Sequence, residues 1–375
     1  MDASRDGYRI LVITAGGTIA GHSVGGNNYT FLSQIEIIVD EIKKLLNDTR
    51  HSEKSENRYE IEEIKICHLK ELHKDATHMC PEDWKLLIRR IKEEYANYNA
   101  FVITHGTNTM GYACAALSFA LENLYKPVIM TGAQVSFGAP GCDARMNLEN
   151  AIRLATYQYN GTQLVGVFAV FSSSIITGTR VKKKTEFDYN SFKAFNTNMI
   201  GEIGNSVRIN TRALDKHLSF WPKPVCIKCR NKLDVKSEFK MCRVASLTEF
   251  PGMDSTLFEV LHRSKKDGFI LRATGAGDPN VPESDANFDN IRKGFKYLQE
   301  KKIPIVVTTQ APDGIASMDI NQPGKTAHEE FGAIPARDMS IESMTVKLAW
   351  LIGQGCSYEE IQKQMQKSLR ACLIS

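Results

Sequence analysis

The sequence predicts an α/β protein of two domains: a larger N-terminal one on a doubly wound, mostly parallel sheet, and a smaller C-terminal α/β one. Three observations carry that expectation. Strand-length apolar runs read almost without polar interruption, as strands covered on both faces of a parallel sheet do. These runs alternate with helical segments along the first half of the chain and again towards its end. Between about 204 and 240 the alternation breaks into short polar pieces. A chain of 375 residues, 42% of them hydrophobic, supports two cores. The domains are therefore expected at 1–204 and 241–375, with 205–240 as a linker.

Taken in order, the first strand is Tyr8 to Thr14, nearly all apolar after Arg9, ending in the turn Ala15-Gly16-Gly17-Thr18-Ile19-Ala20-Gly21. A helix is expected from Ser33 to Asn47, then a polar loop over 48–57 and a strand from Ile61 to Cys67. After a loop from Glu71 to Met79, Pro81 suits the first position of a helix, where its missing N–H is no loss. A strand from Asn99 to Thr104 runs into His105-Gly106-Thr107-Asn108-Thr109-Met110, and the next helix carries Ala115, Leu117, Ala120 and Leu121 on one face. Strands at Pro127–Thr131 and Leu164–Phe171 flank a glycine-rich loop and a helix from Asn147. Beyond the break come strands at Cys242–Leu247, Gly268–Arg272 and Ile303–Thr309, with helices at Asn287–Lys301, Ile341–Gly353 and Ser357–Ala371.

Composition narrows the function classes. A net charge of +4 gives no strong basic face, so a nucleic-acid partner is not favoured, and no apolar run approaches the roughly 20 residues of a membrane span. The polar N-terminus shows no secretory leader, and nine cysteines without a framework suit reduced thiols in a cytoplasm. Cys226 and Cys229 have CxxC spacing near Cys242 and His217, yet the second half of a zinc ribbon is missing, so a plain turn is expected and no metal. Neither GxGxxG nor a P-loop occurs, and no cofactor is implied.

In open parallel sheets ligands collect beyond the carboxyl ends of strands. Two threonine-bearing turns are expected there, Gly16-Gly17-Thr18 and His105-Gly106-Thr107-Asn108-Thr109. Read alone, either is equally a tight connection, a helix cap or a phosphate cradle.

An ordered set of motifs goes further. Thr14-Ala15-Gly16-Gly17-Thr18-Ile19-Ala20, Thr104-His105-Gly106-Thr107-Asn108-Thr109-Met110, Thr131-Gly132-Ala133-Gln134, Asp143 with Asn147-Leu148, Gly178-Thr179-Arg180-Val181-Lys182-Lys183, Gly275-Ala276-Gly277-Asp278-Pro279 and Ile334-Pro335-Ala336-Arg337-Asp338-Met339 span about 330 residues. Together they resemble the bacterial-type L-asparaginase family, which includes the asparaginase-like subunit of the archaeal glutamyl-tRNA amidotransferase. The resemblance implies hydrolysis of a small-molecule side-chain amide through an acyl-enzyme on threonine. It makes Thr18 the nucleophile and Tyr29, in a Gly/Asn-rich loop, the lid tyrosine that helps activate it. Thr107 and Lys183 match a second cluster, in which a lysine of lowered pKa takes a proton from threonine. Lys183 is chosen over Lys182 and Lys184 because it lies three residues after Arg180 and nine before Phe192, a spacing similar to the tRNA-linked branch. His105 is expected to be structural. The resemblance also implies a homodimer or homotetramer.

Three positions depart from the family pattern. Asn108 stands where an aspartate would bind the substrate's α-ammonium and brace the lysine, and Ala76 stands where a serine would grip the α-carboxylate. Thr77 beside it is a candidate substitute, and Asp75 opens the same substrate-binding stretch. Asp278 replaces an expected neutral residue in a loop expected to approach the site. The bond-making groups are thus kept while those for the amino-acid head are altered. An asparaginase is expected first, then an amidohydrolase for another amide, then an impaired asparaginase-like binding protein.

Overall fold

The computed structural model describes residues 7–17, 19, 29–49, 57–137, 139–223, 231–282 and 290–373, with the backbone alone for 29–34 and 49. The chain divides into two compact units, 1–237 and 238–375. Each has a mixed α/β architecture, as the sequence predicts.

The first unit runs β1 (Tyr8–Ala15), α1 (Tyr29–Thr49), β2 (Ile61–His68), α2 (Pro81–Glu94), β3 (Ala100–His105), α3 (Met110–Ala120), β4 (Pro127–Thr131) and α4 (Ala144–Thr156). A small hairpin, β5 (Gln158–Tyr159) and β6 (Thr162–Gln163), precedes β7 (Gly166–Phe171), β8 (Ser174–Thr177), β9 (Val181–Lys183) and β10 (Phe192–Ala194). The unit continues through β11 (Gly201–Ile203), β12 (Val207–Ile209) and α5 (Thr211–Ser219). Eight strands form one sheet in the order β12-β11-β8-β7-β4-β3-β1-β2. From β2 to β7 neighbours are parallel; β8, β11 and β12 extend the sheet antiparallel. The central strands β3, β4 and β7 are wholly buried, which explains their unbroken apolar sequences, whereas the edge strand β2 mixes polar and apolar residues.

This strand order places the site. From β1 the chain moves through α1 to β2 on one side, then through α2 to β3 on the other, so the winding reverses between β1 and β3. Such a reversal opens a crevice beyond the carboxyl ends of the strands. Register pairs Ala15 with His105, so the turns that follow leave the sheet side by side. Beneath them lies α3, buried at every residue except Tyr112, as a helix apolar on all sides must be. Each large side chain it buries, such as Leu117 or Phe119, contributes about 1.5–3 kcal/mol. The helix packs against β7, β9 and the turn Gly178–Arg180, and so holds the strand that carries Lys183.

Helix starts differ from expectation. α1 begins at Tyr29 rather than Ser33, and α4 at Ala144 rather than Asn147. Pro81 does occupy the first turn of α2, where Asp83 Oδ2 accepts the Cys80 N–H at 2.7 Å. Residues 205–223 and 231–237 fold with the first unit. There α5 buries Leu214 and His217. His217 Nε2 lies 3.1 Å from the Val165 carbonyl and Nδ1 lies 3.0 Å from Thr177 Oγ1. Burial pushes the His217 pKa down to about 4. Cys226 and Cys229 lie outside the described residues.

The second unit runs β13 (Val244–Thr248), α6 (Thr256–Arg263), β14 (Gly268–Ala273), α7 (Arg292–Glu300), β15 (Ile305–Thr309), α8 (Gln322–Glu329), β16 (Ile334–Pro335), α9 (Ile341–Gly353) and α10 (Tyr358–Met365). Its four strands are parallel in the order β13-β14-β15-β16, over a core that includes Phe258, Phe269, Phe295 and Leu298. Asp278 belongs to this unit, where its Oδ2 accepts the Ala276 N–H at 3.1 Å and the Asn321 side-chain amide at 2.7 Å. Among the described residues no helix is long and apolar enough to cross a membrane, and no three His, Cys, Asp or Glu are grouped to hold a metal ion.

Candidate active site

The two turns beyond β1 and β3 meet backbone to backbone. Gly17 has φ +80°, and a Cβ there would collide with Gly106 N and Cα. A Cβ at Gly106 would in turn collide with the Ala76 methyl. Glycine is required at Gly17 for its left-handed φ and at both positions for closeness. Thr18, the residue after Gly17, lies outside the described residues. Tyr29 is described only as the first backbone position of α1, and its side chain lies outside them too.

Past Gly106, Thr107 is buried and Asn108 faces solvent. Lys183, at the end of β9, reaches both: its Nζ donates to Thr107 Oγ1 at 2.8 Å and to Asn108 Oδ1 at 2.9 Å. Burial lowers the lysine's pKa, opposed by the Glu186 carboxylate. An uncharged amide at Asn108 does little to keep the proton on the amine, so the geometry suits a lysine that gives up its proton and then takes one from Thr107.

Asn108 continues the network by donating from Nδ2 to Thr77 Oγ1 at 3.1 Å. Asp75 Oδ1 accepts the Thr77 N–H at 2.7 Å and so caps the short 3-10 turn Ala76–His78. Ala76 itself is buried, and its carbonyl accepts from Thr109 Oγ1 at 2.7 Å. Thr107, Lys183, Asn108, Thr77, Asp75 and Ala76 therefore form one continuous cluster. His105 is buried with Nδ1 2.7 Å from its neighbour's carbonyl on Gly106. A carbonyl only accepts, so Nδ1 carries the proton, and burial lowers the ring's pKa and keeps it neutral.

Sequence reading gave no role to the brace around Lys183. Gln134 Nε2 donates to the carbonyls of Glu186 at 2.8 Å and Asp188 at 3.3 Å, holding the loop after Lys183. The Asp143 carboxylate orients that glutamine by accepting the N–H groups of Gln134 and Val135 and the Asn147 side-chain amide at 2.9–3.1 Å. Thr109 was likewise passed over, and so were His68 and His73. A histidine at the end of a strand, or a histidine or glutamine in a loop, has no periodicity to mark it.

Family models match both units. One described as "Asparaginase, N-terminal" covers residues 9–215, and one described as "Glutaminase/Asparaginase C-terminal domain" covers 243–365. The chain belongs to the asparaginase family. An L-asparaginase of Thermococcus kodakarensis is 30% identical over 364 residues, 96% of this chain and 98% of that relative. An L-asparaginase 1 of Escherichia coli is 31% identical over 298 residues, covering 79% of this chain and 81% of its own. A subunit of the glutamyl-tRNA(Gln) amidotransferase of Methanococcus maripaludis is 30% identical over 301 residues, covering 78% of this chain and 67% of its own. The solved L-asparaginase I of Vibrio cholerae superposes with a TM-score of 0.76 at 26% identity, over 98% of this chain and 100% of that one. Family membership thus rests on both units together.

Proposed function

We propose that the chain hydrolyses the side-chain amide of asparagine to aspartate and ammonia through an acyl-enzyme on Thr18. The observation that carries this reading is the Lys183 amine 2.8 Å from Thr107 Oγ1, at the end of β3 and beside the Gly17 turn. In the first half-reaction the Thr18 hydroxyl attacks the amide carbon, an ester forms and ammonia leaves. In the second, water attacks the ester, the acid leaves and the hydroxyl is restored. A threonine hydroxyl is a weak nucleophile at its ordinary pKa and needs a proton acceptor. Tyr29 serves the attack, and the Lys183–Thr107 pair moves protons to the leaving nitrogen and from the incoming water. Asp75, Ala76, Thr77 and Asn108 line the substrate's head.

Ammonia release from asparagine, glutamine and N-blocked asparagine, measured for wild type and Thr18→Ala, tests the proposal. Loss of about 10² to 10⁴-fold in kcat is expected for the variant. Equal rates on every amide would sink the enzyme reading.

A different amide is the second reading, favoured by one observation: Asn108 offers no charge, and its Oδ1 and Nδ2 are already bonded to Lys183 and Thr77. The active form is a cytoplasmic homodimer or homotetramer. Light scattering showing only a 42 kDa monomer at micromolar protein would refute the assembly.

A further inference from the structure

We propose that Thr14, His68 and His73 form a positioning clasp beneath Gly16 and Gly17, setting the register of the nucleophile that follows them in sequence and hence turnover. The inference rests on reading Thr18 as the nucleophile, and the experiment below separates the two.

Thr14 is fully buried at the end of β1. Its Oγ1 lies 2.9 Å from His68 Nδ1 and 3.1 Å from His73 Nε2, and the two rings meet edge to face with centroids 6.2 Å apart. The same short segment grips the backbone. The Leu69 N–H bonds the Thr14 carbonyl at 3.4 Å, and the Gly17 N–H bonds the Lys74 carbonyl at 3.2 Å. The carbonyls of Leu72 and Lys74, on either side of His73, also lie against Gly16. His73 therefore ties the segment's side chain to β1 where its neighbours' backbone meets the turn. A few residues on, the segment holds the other arm, through Ala76 O to Thr109 and Thr77 Oγ1 to Asn108. One stretch of chain, 68–77, sits under both turns.

The clasp has a proton rule. A hydroxyl has one proton to give, so it donates to one imidazole while the other imidazole donates to it. Two neutral rings satisfy this, as a chain running one way. When the accepting ring takes a proton it has no lone pair left for Thr14, whose own proton then faces a second donor. Burial lowers the His68 pKa and favours the neutral chain, with Glu36 of α1 pulling it up and Lys70 pushing it down. Lys74, next to His73 in the chain, is paired with Asp83 at 2.7 Å.

The test uses the full chain and kinetics on asparagine, with melting to report folding. Thr14→Val and His73→Leu are expected to lower kcat roughly tenfold or more with a smaller change in KM, since the bonds lost are those to β1 while Ala76 and Thr77 keep their bonds to Thr109 and Asn108. The double variant His68→Asn with His73→Gln places an amide end where each bonding ring nitrogen was, one turning its oxygen to accept from Thr14 and the other its nitrogen to donate. It is expected to keep kcat within about threefold of wild type and to lose the further acid-side fall that histidine protonation adds below the rise through the Lys183 pKa. Folded Thr14→Val and His73→Leu with wild-type kcat and an unchanged profile would overturn the clasp. A Thr18→Ala variant as active as wild type would instead overturn the nucleophile assignment. Thr18→Ala inactive with Thr14→Val normal removes the clasp alone.

Discussion

Replacing Asn108 with aspartate puts a carboxylate against an amine whose pKa burial already lowers, since Asn108 Oδ1 sits 2.9 Å from Lys183 Nζ. The sign follows from the role. In the proposed role Lys183 is deprotonated so as to accept a proton, and kcat is then expected to rise with pH through its pKa, which burial holds below the ordinary lysine range. A neighbouring carboxylate stabilises the ammonium and moves the rise to higher pH. Position 108 is exposed, so solvent screening limits the gain. The same carboxylate offers free asparagine's α-ammonium a charge-assisted bond worth about 1.5–3 kcal/mol, so KM should fall about tenfold or more. The local network tolerates the change: the aspartate gives up the bond donated to Thr77 Oγ1, and the threonine hydroxyl turns to donate instead. The assay is ammonia release across pH, giving kcat and KM at each point, with thermal melting alongside. A folded Asn108→Asp protein with wild-type KM and an unmoved pH profile would refute both the substrate-head assignment and the role of Lys183.

Lys183→Met should lower kcat by about 10² to 10⁴-fold without unfolding, and Lys183→Arg should not rescue it, because a guanidinium stays protonated. Steady-state kinetics decide both. Gly106→Ala drives a methyl into the Ala76 methyl; a cost of about 1–3 kcal/mol is expected, read as a melting point lowered by several degrees, with activity falling as the two turns part. His217, neutral in the folded unit with a pKa near 4, contributes stability present above pH ~6.5 and lost as pH falls towards 4, about 3 kcal/mol in all. His217→Gln should flatten the melting-temperature profile over that window, and an unchanged slope would count against the buried neutral ring.

Much of this was legible in the residues because the central strands are buried on both faces. The apolar runs of β1, β3 and β4 announce themselves, and each ends in a motif whose place then follows from sheet topology. What escaped was short or assembled late. The strands β8, β11 and β12 have only three or four residues each, too few for a period to show, and β12 falls inside the expected linker. The eight-residue helices α6 and α8 escaped for the same reason. Lys183 was singled out of three lysines by spacing, and the bonds to Thr107 and Asn108 follow from how β9 packs on α3. The partnership of Thr14 with His68 and His73 joins residues 54 and 59 positions apart, and only the fold brings them together.

The contact of Gly17 with Gly106 bears on anyone wishing to retarget the enzyme. Two backbones in van der Waals touch leave no side chain through which a mutation can retune the spacing of the two turns, so that spacing is inherited whole or lost. Combinatorial libraries should therefore leave residues 16–17 and 105–107 alone and put their diversity into Thr77, Asn108 and the loop from Glu186 to Tyr189, where side chains face solvent. New amides would then be admitted at the rim while the chemistry underneath stays in register.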